Sequence, residues 1–205
     1  MSGSRFREVF YGDFSFYVFD GVYEPAEDTF LIADNLDVRY GERVLDVGTG
    51  CGVLAVLSAV NASWVLATDI NPVAVKCAKV NARRNGVSDK IEFLCCDLFE
   101  PIIKEPVFDL VLFNAPYLPV EEEKPKNWID YAWHGGRLGR EVIDRFLAEA
   151  FDYLRHGGRI LLVQSSLSNA EETLLKLRKR GYKTEIIDER PSFFERIFLI
   201  ESIKP

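Results

Sequence analysis

The chain has 205 residues, 48% of them hydrophobic and 28% charged, with a formal net charge of −7. That length suits one domain with a full-sized core, and no apolar run approaches the roughly 18–20 residues that cross a bilayer. The acidic balance argues against a duplex nucleic-acid binder, which needs a basic footprint to displace counterions from phosphates.

The start, Met1 to Arg7, lacks the basic residues and apolar block of a secretion signal, so the reading is a cytoplasmic protein. Residues 1 to about 40 are expected to be a short N-terminal extension on a single domain covering 1–205. A helix over Pro25–Leu36 is predicted within it, with proline at a first helical position and acids in the first turn. Short apolar runs then alternate with helical patterns. The runs are Arg43–Val47, Trp64–Asp69, Ile91–Cys96, Leu110–Phe113 and Arg159–Gln164. The helical patterns are Gly52–Val60, Pro72–Asn85, Arg140–Leu154 and Ser168–Arg180, the last two closed by Gly157-Gly158 and Gly181. Such alternation signals a mainly parallel sheet covered by helices. A final pair of runs, Lys183–Asp188 and Glu195–Ser202, is close enough for a hairpin, which adds one antiparallel strand and makes seven. The segment Leu118–Arg137 fits no element. It carries Glu121-Glu122-Glu123-Lys124-Pro125-Lys126 and then Trp128, Tyr131 and Trp133, and its length suggests a substrate-facing loop or lid.

The cysteines, Cys51, Cys77, Cys95 and Cys96, form no Cys-x-x-Cys pair, and the two histidines match no metal spacing. They read as small buried hydrophobes, with no metal bound by the protein itself. One dense basic cluster, Lys176 to Lys183, reads as a solvated helix face.

The most informative stretch is Val44-Leu45-Asp46-Val47-Gly48-Thr49-Gly50-Cys51-Gly52. Glycines at Gly48, Gly50 and Gly52 let the chain turn sharply and let backbone approach a ligand. The dinucleotide fingerprint needs its third glycine one residue later, where Val53 stands, so a nicotinamide cofactor is not expected. Asp69 ends the next strand, where a carboxylate can accept from both hydroxyls of a ribose. Asp97 and Leu98 end the one after. That pair suits an adenine, the carboxylate taking the exocyclic amine and the leucine covering the ring. Further on, Asn114-Ala115-Pro116-Tyr117 follows another strand end. The Asn114 side-chain oxygen, with the backbone carbonyls of Ala115 and Pro116, can accept both protons of an NH2 group. Tyr117 offers a ring face for a planar group.

The ordered set of strand-end acids and glycines resembles the Rossmann-like, S-adenosylmethionine-dependent methyltransferases over nearly the whole chain. The tetrapeptide is similar to the Asn-Pro-Pro-Tyr motif of amino-group methyltransferases, with Ala115 in place of the first proline. Tyr23-Glu24-Pro25-Ala26-Glu27-Asp28-Thr29-Phe30 and the stretch from Ala132 to Phe146 are similar to the short archaeal and eukaryotic branch of HemK-like protein-glutamine N5-methyltransferases. The resemblance implies a class I methyltransferase fold. It implies that Asp46, Gly48, Gly50, Asp69, Asp97, Leu98, Asn114 and, near it, Thr29 hold S-adenosylmethionine. It implies that Asn114, Ala115, Pro116, Tyr117 and Leu118 hold the acceptor amide, with Asn114, Pro116 and Tyr117 carrying the chemistry. It further implies the Gly-Gly-Gln glutamine of a class 1 translation termination factor as substrate, and a small zinc-binding activator protein as partner. Methylation of a nucleic-acid amine (adenine N6 or guanine N2) or of protein lysine stays open as an alternative.

Overall fold

A computed structural model describes residues 6–121, 124–192 and 194–205. Glu122 and Glu123 of the acidic run, and most of the Met1–Arg7 start, lie outside the described residues. The main sheet has seven strands: β3 (Arg43–Val47), β4 (Trp64–Asp69), β5 (Ile91–Cys95), β6 (Phe108–Asn114), β7 (Leu154–Ser165), β8 (Lys183–Ser192) and β9 (Glu195–Ile203). Their spatial order is β5-β4-β3-β6-β7-β9-β8, and β9 alone runs against its neighbours. The expected sheet is therefore present. Its central strands are covered on both faces: Val44, Leu45, Leu110, Val111 and Leu112 are all fully buried. That explains why they read as unbroken apolar runs rather than as alternation.

Among the described residues, five helices cover the sheet: α1 (Glu27–Asp34), α2 (Val53–Ala59), α3 (Pro72–Arg84), α4 (Glu141–Glu149) and α5 (Ala170–Lys179). α3 starts as its sequence predicts, with Pro72 in the first turn and the Asn71 side chain accepting from the Val73 amide at 2.9 Å. α1 and α5 are shorter than expected. Asn169, at φ 55°, caps α5 through its side chain, which accepts from the Glu172 amide, so Ser168 falls outside the helix.

One expectation needs correction. The helix predicted over Arg140–Leu154 ends at Glu149, and a 3-10 turn at Ala150–Asp152 leads straight into β7. Gly157 and Gly158 therefore sit inside a strand rather than closing a helix. They accommodate an irregularity in which the register against β6 shifts from Phe108↔Leu154 to Leu110↔Arg159. The described residues before α1 contain an antiparallel hairpin, β1 (Phe6–Tyr11) and β2 (Phe14–Phe19), turning through Gly12-Asp13, an element not predicted from the sequence. β2 buries Phe16 and Val18 and lies on α3.

Candidate active site

A cleft of about 270 Å³ opens at the carboxyl ends of β3, β4, β5 and β6, where ligands bind in doubly wound sheets. The glycine turn after β3 forms its floor. Gly52 (φ 90°) is required twice over: its backbone is left-handed, and a Cβ there would meet Cβ of Ala78 on α3 at 2.9 Å. The turn is held from both sides. The Gly50 amide donates to Oδ2 of Asp69 at 2.8 Å, and the Thr49 hydroxyl donates to Oδ2 of Asp46 at 2.6 Å.

Asp46 is buried and lies beneath the turn; it is not among the residues lining the cleft. Burial, reinforced by the charge of Asp69, pushes its carboxyl up to about 7 against the pull of Thr49. Gly48, Gly50 and Asp69 do line the cleft. Asp69 accepts from the Gly50 amide on one oxygen and from the Asn71 amide (2.8 Å) on the other, and burial raises its pKa. Each oxygen keeps a second lone pair for a ligand hydroxyl. Asp97 and Leu98 line the same cleft, Asp97 bonded to the Arg145 guanidinium of α4 at 2.8 Å and Leu98 held at φ 50°.

On the acceptor side, Asn114 and Pro116 line the cleft, whereas Ala115, Tyr117 and Leu118 are not among its lining residues. Asn114 donates through Nδ2 to Oγ1 of Thr29 at 3.1 Å, while its buried Oδ1 accepts no hydrogen bond among the described residues. A buried acceptor without a partner calls for an explanation, and a role in holding a donor during function is one. Tyr117 is 9% exposed and its hydroxyl reaches Oδ2 of Asp28 at 3.3 Å. Leu118 forms a bridge with His134, its amide donating to the Trp133 carbonyl at 3.0 Å.

The segment Leu118–Arg137 holds one 3-10 turn, Trp128–Ala132, capped reciprocally by Asn127 and Asp130. Pro125, Trp128 and Tyr131 from it line the cleft. Among the lining residues that the sequence does not single out as site residues are Tyr23 and Arg145. Both lie in stretches already singled out, but nothing in the spacing marks them. The cysteine reading holds for buried Cys51 and Cys77; Cys95 is exposed, and Cys96 lines the cleft. In the basic cluster, Lys176 pairs with Asp144 and Glu172, Lys183 with Glu185, and Arg178 and Arg180 bond to backbone carbonyls.

Among known proteins, residues 29–117 match the family model of ribosomal protein L11 methyltransferase. A Methanocaldococcus jannaschii protein named protein N5-glutamine methyltransferase is 42% identical over 88% of this chain and 91% of its own length. Human methyltransferase HEMK2 is 39% identical over 88% of this chain and 89% of its own. Among solved structures, Mtq2 of E. cuniculi, in its complex with Trm112 responsible for methylation of the termination factor eRF1, superposes with a TM-score of 0.72. It is 31% identical and covers 90% of this chain and 99% of that one.

Proposed function

The chain belongs to the HemK-like protein N5-glutamine methyltransferase family, and on that premise we propose that it methylates the side-chain nitrogen of a protein glutamine. The observation that carries this reading is the open, buried Oδ1 of Asn114 at the edge of the cleft. An amide NH2 has the two donors such an acceptor can take, one going to Oδ1 of Asn114 and the other to a backbone carbonyl of Ala115 or Pro116 in this reading.

S-adenosylmethionine fits the remaining groups. Asp69 offers lone pairs to ribose hydroxyls, the turn at Gly48 and Gly50 admits close approach of the ligand, and Asp97 with Leu98 serves the adenine. Thr29 sits beside Asn114 where the two ligands meet, and Asp46 acts from below by fixing the turn. Bound there, the cofactor supplies an electrophilic methyl group. A primary amide is a weak nucleophile because its lone pair is delocalised. Asn114, Ala115 and Pro116 hold both N–H bonds, aim the nitrogen in line with the methyl and stabilise the charge that develops on it. With the cofactor bound, its sulfonium would give up the methyl group to the nitrogen that Asn114, Ala115 and Pro116 hold, and the methylated amide would release its surplus proton to water.

The substrate we infer is the Gly-Gly-Gln glutamine of a class 1 translation termination factor, reached as one domain acting in the cytoplasm with a small activator protein, any zinc being carried by that activator. The Mtq2–Trm112 pairing of the similar structure supports this. The internal pairing of the basic cluster weighs against a nucleic-acid substrate. Mass spectrometry of a termination factor incubated with methyl-labelled cofactor, with and without the activator, tests the reading. The label is expected on that glutamine and absent when it is alanine. Faster labelling of bare DNA or RNA overturns the assignment.

A further inference from the structure

We propose that Asp28 is a positioning residue that decides which end of the Asn114 amide faces the acceptor. The proposal rests on the glutamine reading and deepens it. Asp28 is buried in the first turn of α1 and does not itself line the cleft. Four donors converge on its carboxylate. Oδ2 accepts from the Tyr23 hydroxyl at 2.8 Å and the Tyr117 hydroxyl at 3.3 Å, and Oδ1 from the Thr29 amide at 2.6 Å and the Thr29 hydroxyl at 3.3 Å. Those bonds use the roughly four acceptor sites a carboxylate has. Burial, with the charge of Asp28 adding to it, raises both phenols above the ordinary tyrosine range, so each stays a donor.

The consequence is directional. A hydroxyl has one proton, and that of Thr29 goes to an oxygen that can only accept. Oγ1 of Thr29 is left with lone pairs alone, so what faces it at 3.1 Å must be the NH2 end of Asn114. The carbonyl end is thereby turned the other way, which is where Oδ1 lies buried and open. With the amide reversed, Asn114 would present two donors to a substrate nitrogen that is itself a donor, and the clamp would repel its ligand. Asp28 thus sets the polarity of the acceptor site through a chain of two hydrogen bonds without touching the substrate. The same carboxylate also accepts from the Tyr117 hydroxyl, which leaves the polarity of Asn114 unaffected.

A double-mutant cycle tests this. Asp28→Asn puts a donor where only acceptors stand and frees the polarity of Thr29. With cofactor, activator and intact termination factor, kcat is expected to fall on the order of 10–10²-fold, as for loss of an outer-layer partner elsewhere. Affinity for S-adenosylhomocysteine should stay within about threefold, which separates mispositioning from misfolding. In an Asn114→Ala background the same substitution should cost little more, because the residue it acts through is gone. An equal loss in both backgrounds, or wild-type turnover in Asp28→Asn, overturns the proposal. A second readout needs no substrate: the Asn114 side-chain NH2 resonances, assigned by NMR, should shift in Asp28→Asn. If Asn114→Ala keeps wild-type turnover, the glutamine clamp fails instead, and unchanged Asn114 resonances in Asp28→Asn then decide against the positioning role.

Discussion

Asn81 on α3 is joined to Tyr17 on β2 as one strand is joined to another. Its side-chain oxygen accepts from the Tyr17 amide at 2.8 Å and its NH2 group donates to the Tyr17 carbonyl at 2.8 Å. The same NH2 group donates to the Cys51 carbonyl in the glycine turn at 2.7 Å. One helix turn on, Asn85 makes the same pair of bonds to Ser15. The N-terminal hairpin is thereby paired along its second edge by a helix.

Asn81→Ala should therefore destabilise well beyond an ordinary surface change. It strands buried partners on β2 and in the turn, a loss of roughly 2–4 kcal/mol. Asn81→Asp should also destabilise, since a carboxylate accepts from Tyr17 but cannot donate to either carbonyl. Urea midpoints at fixed slope measure both; a wild-type midpoint for the alanine variant would show that the hairpin is held by something else.

Asp69→Ala should weaken cofactor binding by roughly 1–3 kcal/mol, the range for charge-assisted hydrogen bonds. The loss has two sources, the ligand hydroxyls and the Gly50 amide that the carboxylate now holds. Calorimetry with S-adenosylhomocysteine reads it directly, and unchanged affinity would remove Asp69 from the ribose site.

Asn114→Ala is expected to cut turnover on the order of 10²–10³-fold, comparable to loss of a preorganised polar contact. Cofactor affinity should change little. Parallel losses in rate and in cofactor affinity would place Asn114 with the cofactor rather than the acceptor.

Asp46 gives a pH signature. Its folded-state value of about 7 lies above the ordinary carboxylate range, so between pH 4 and 7 the folded chain holds a proton that the unfolded chain has released. That contribution to stability is full below the unfolded value and is lost as pH rises through 7. Asp46→Asn cannot ionise. The difference in melting temperature, variant minus wild type, should grow between pH 5 and pH 8. A flat difference would show that the carboxyl is not held protonated.

Much of this was legible in the sequence because strands buried on both faces and strand-end acids leave compact local signals. Asp69, Asp97, Leu98 and Asn114 reach the cleft wall because each ends, or directly follows, a strand of one parallel sheet. The hairpin was legible too, since Gly12-Asp13 between two aromatic, partly alternating runs is a turn signal. Its strand character is blurred because β1 exposes Phe6 and Phe10, which breaks the alternation of buried and exposed residues. The link from Asp28 to Asn114 was not legible. Its members are brought together across 86 positions of sequence by the packing of α1 on the sheet, and no local pattern encodes a contact of that range. Likewise Asp46 has the position of a ligand-binding acid, and only burial reveals that it lies beneath the turn.

Every residue lining the cleft falls between Gly21 and Arg145, yet β6, which carries Asn114, completes its hydrogen bonding only against β7, with Asn114 opposite Val163. The cleft-lining residues thus leave the ribosome before the strand against which β6 is fixed. On the proposed function, cofactor binding is expected of the finished chain alone: added S-adenosylhomocysteine should protect the full chain from protease while leaving a chain arrested before β7 as sensitive as before.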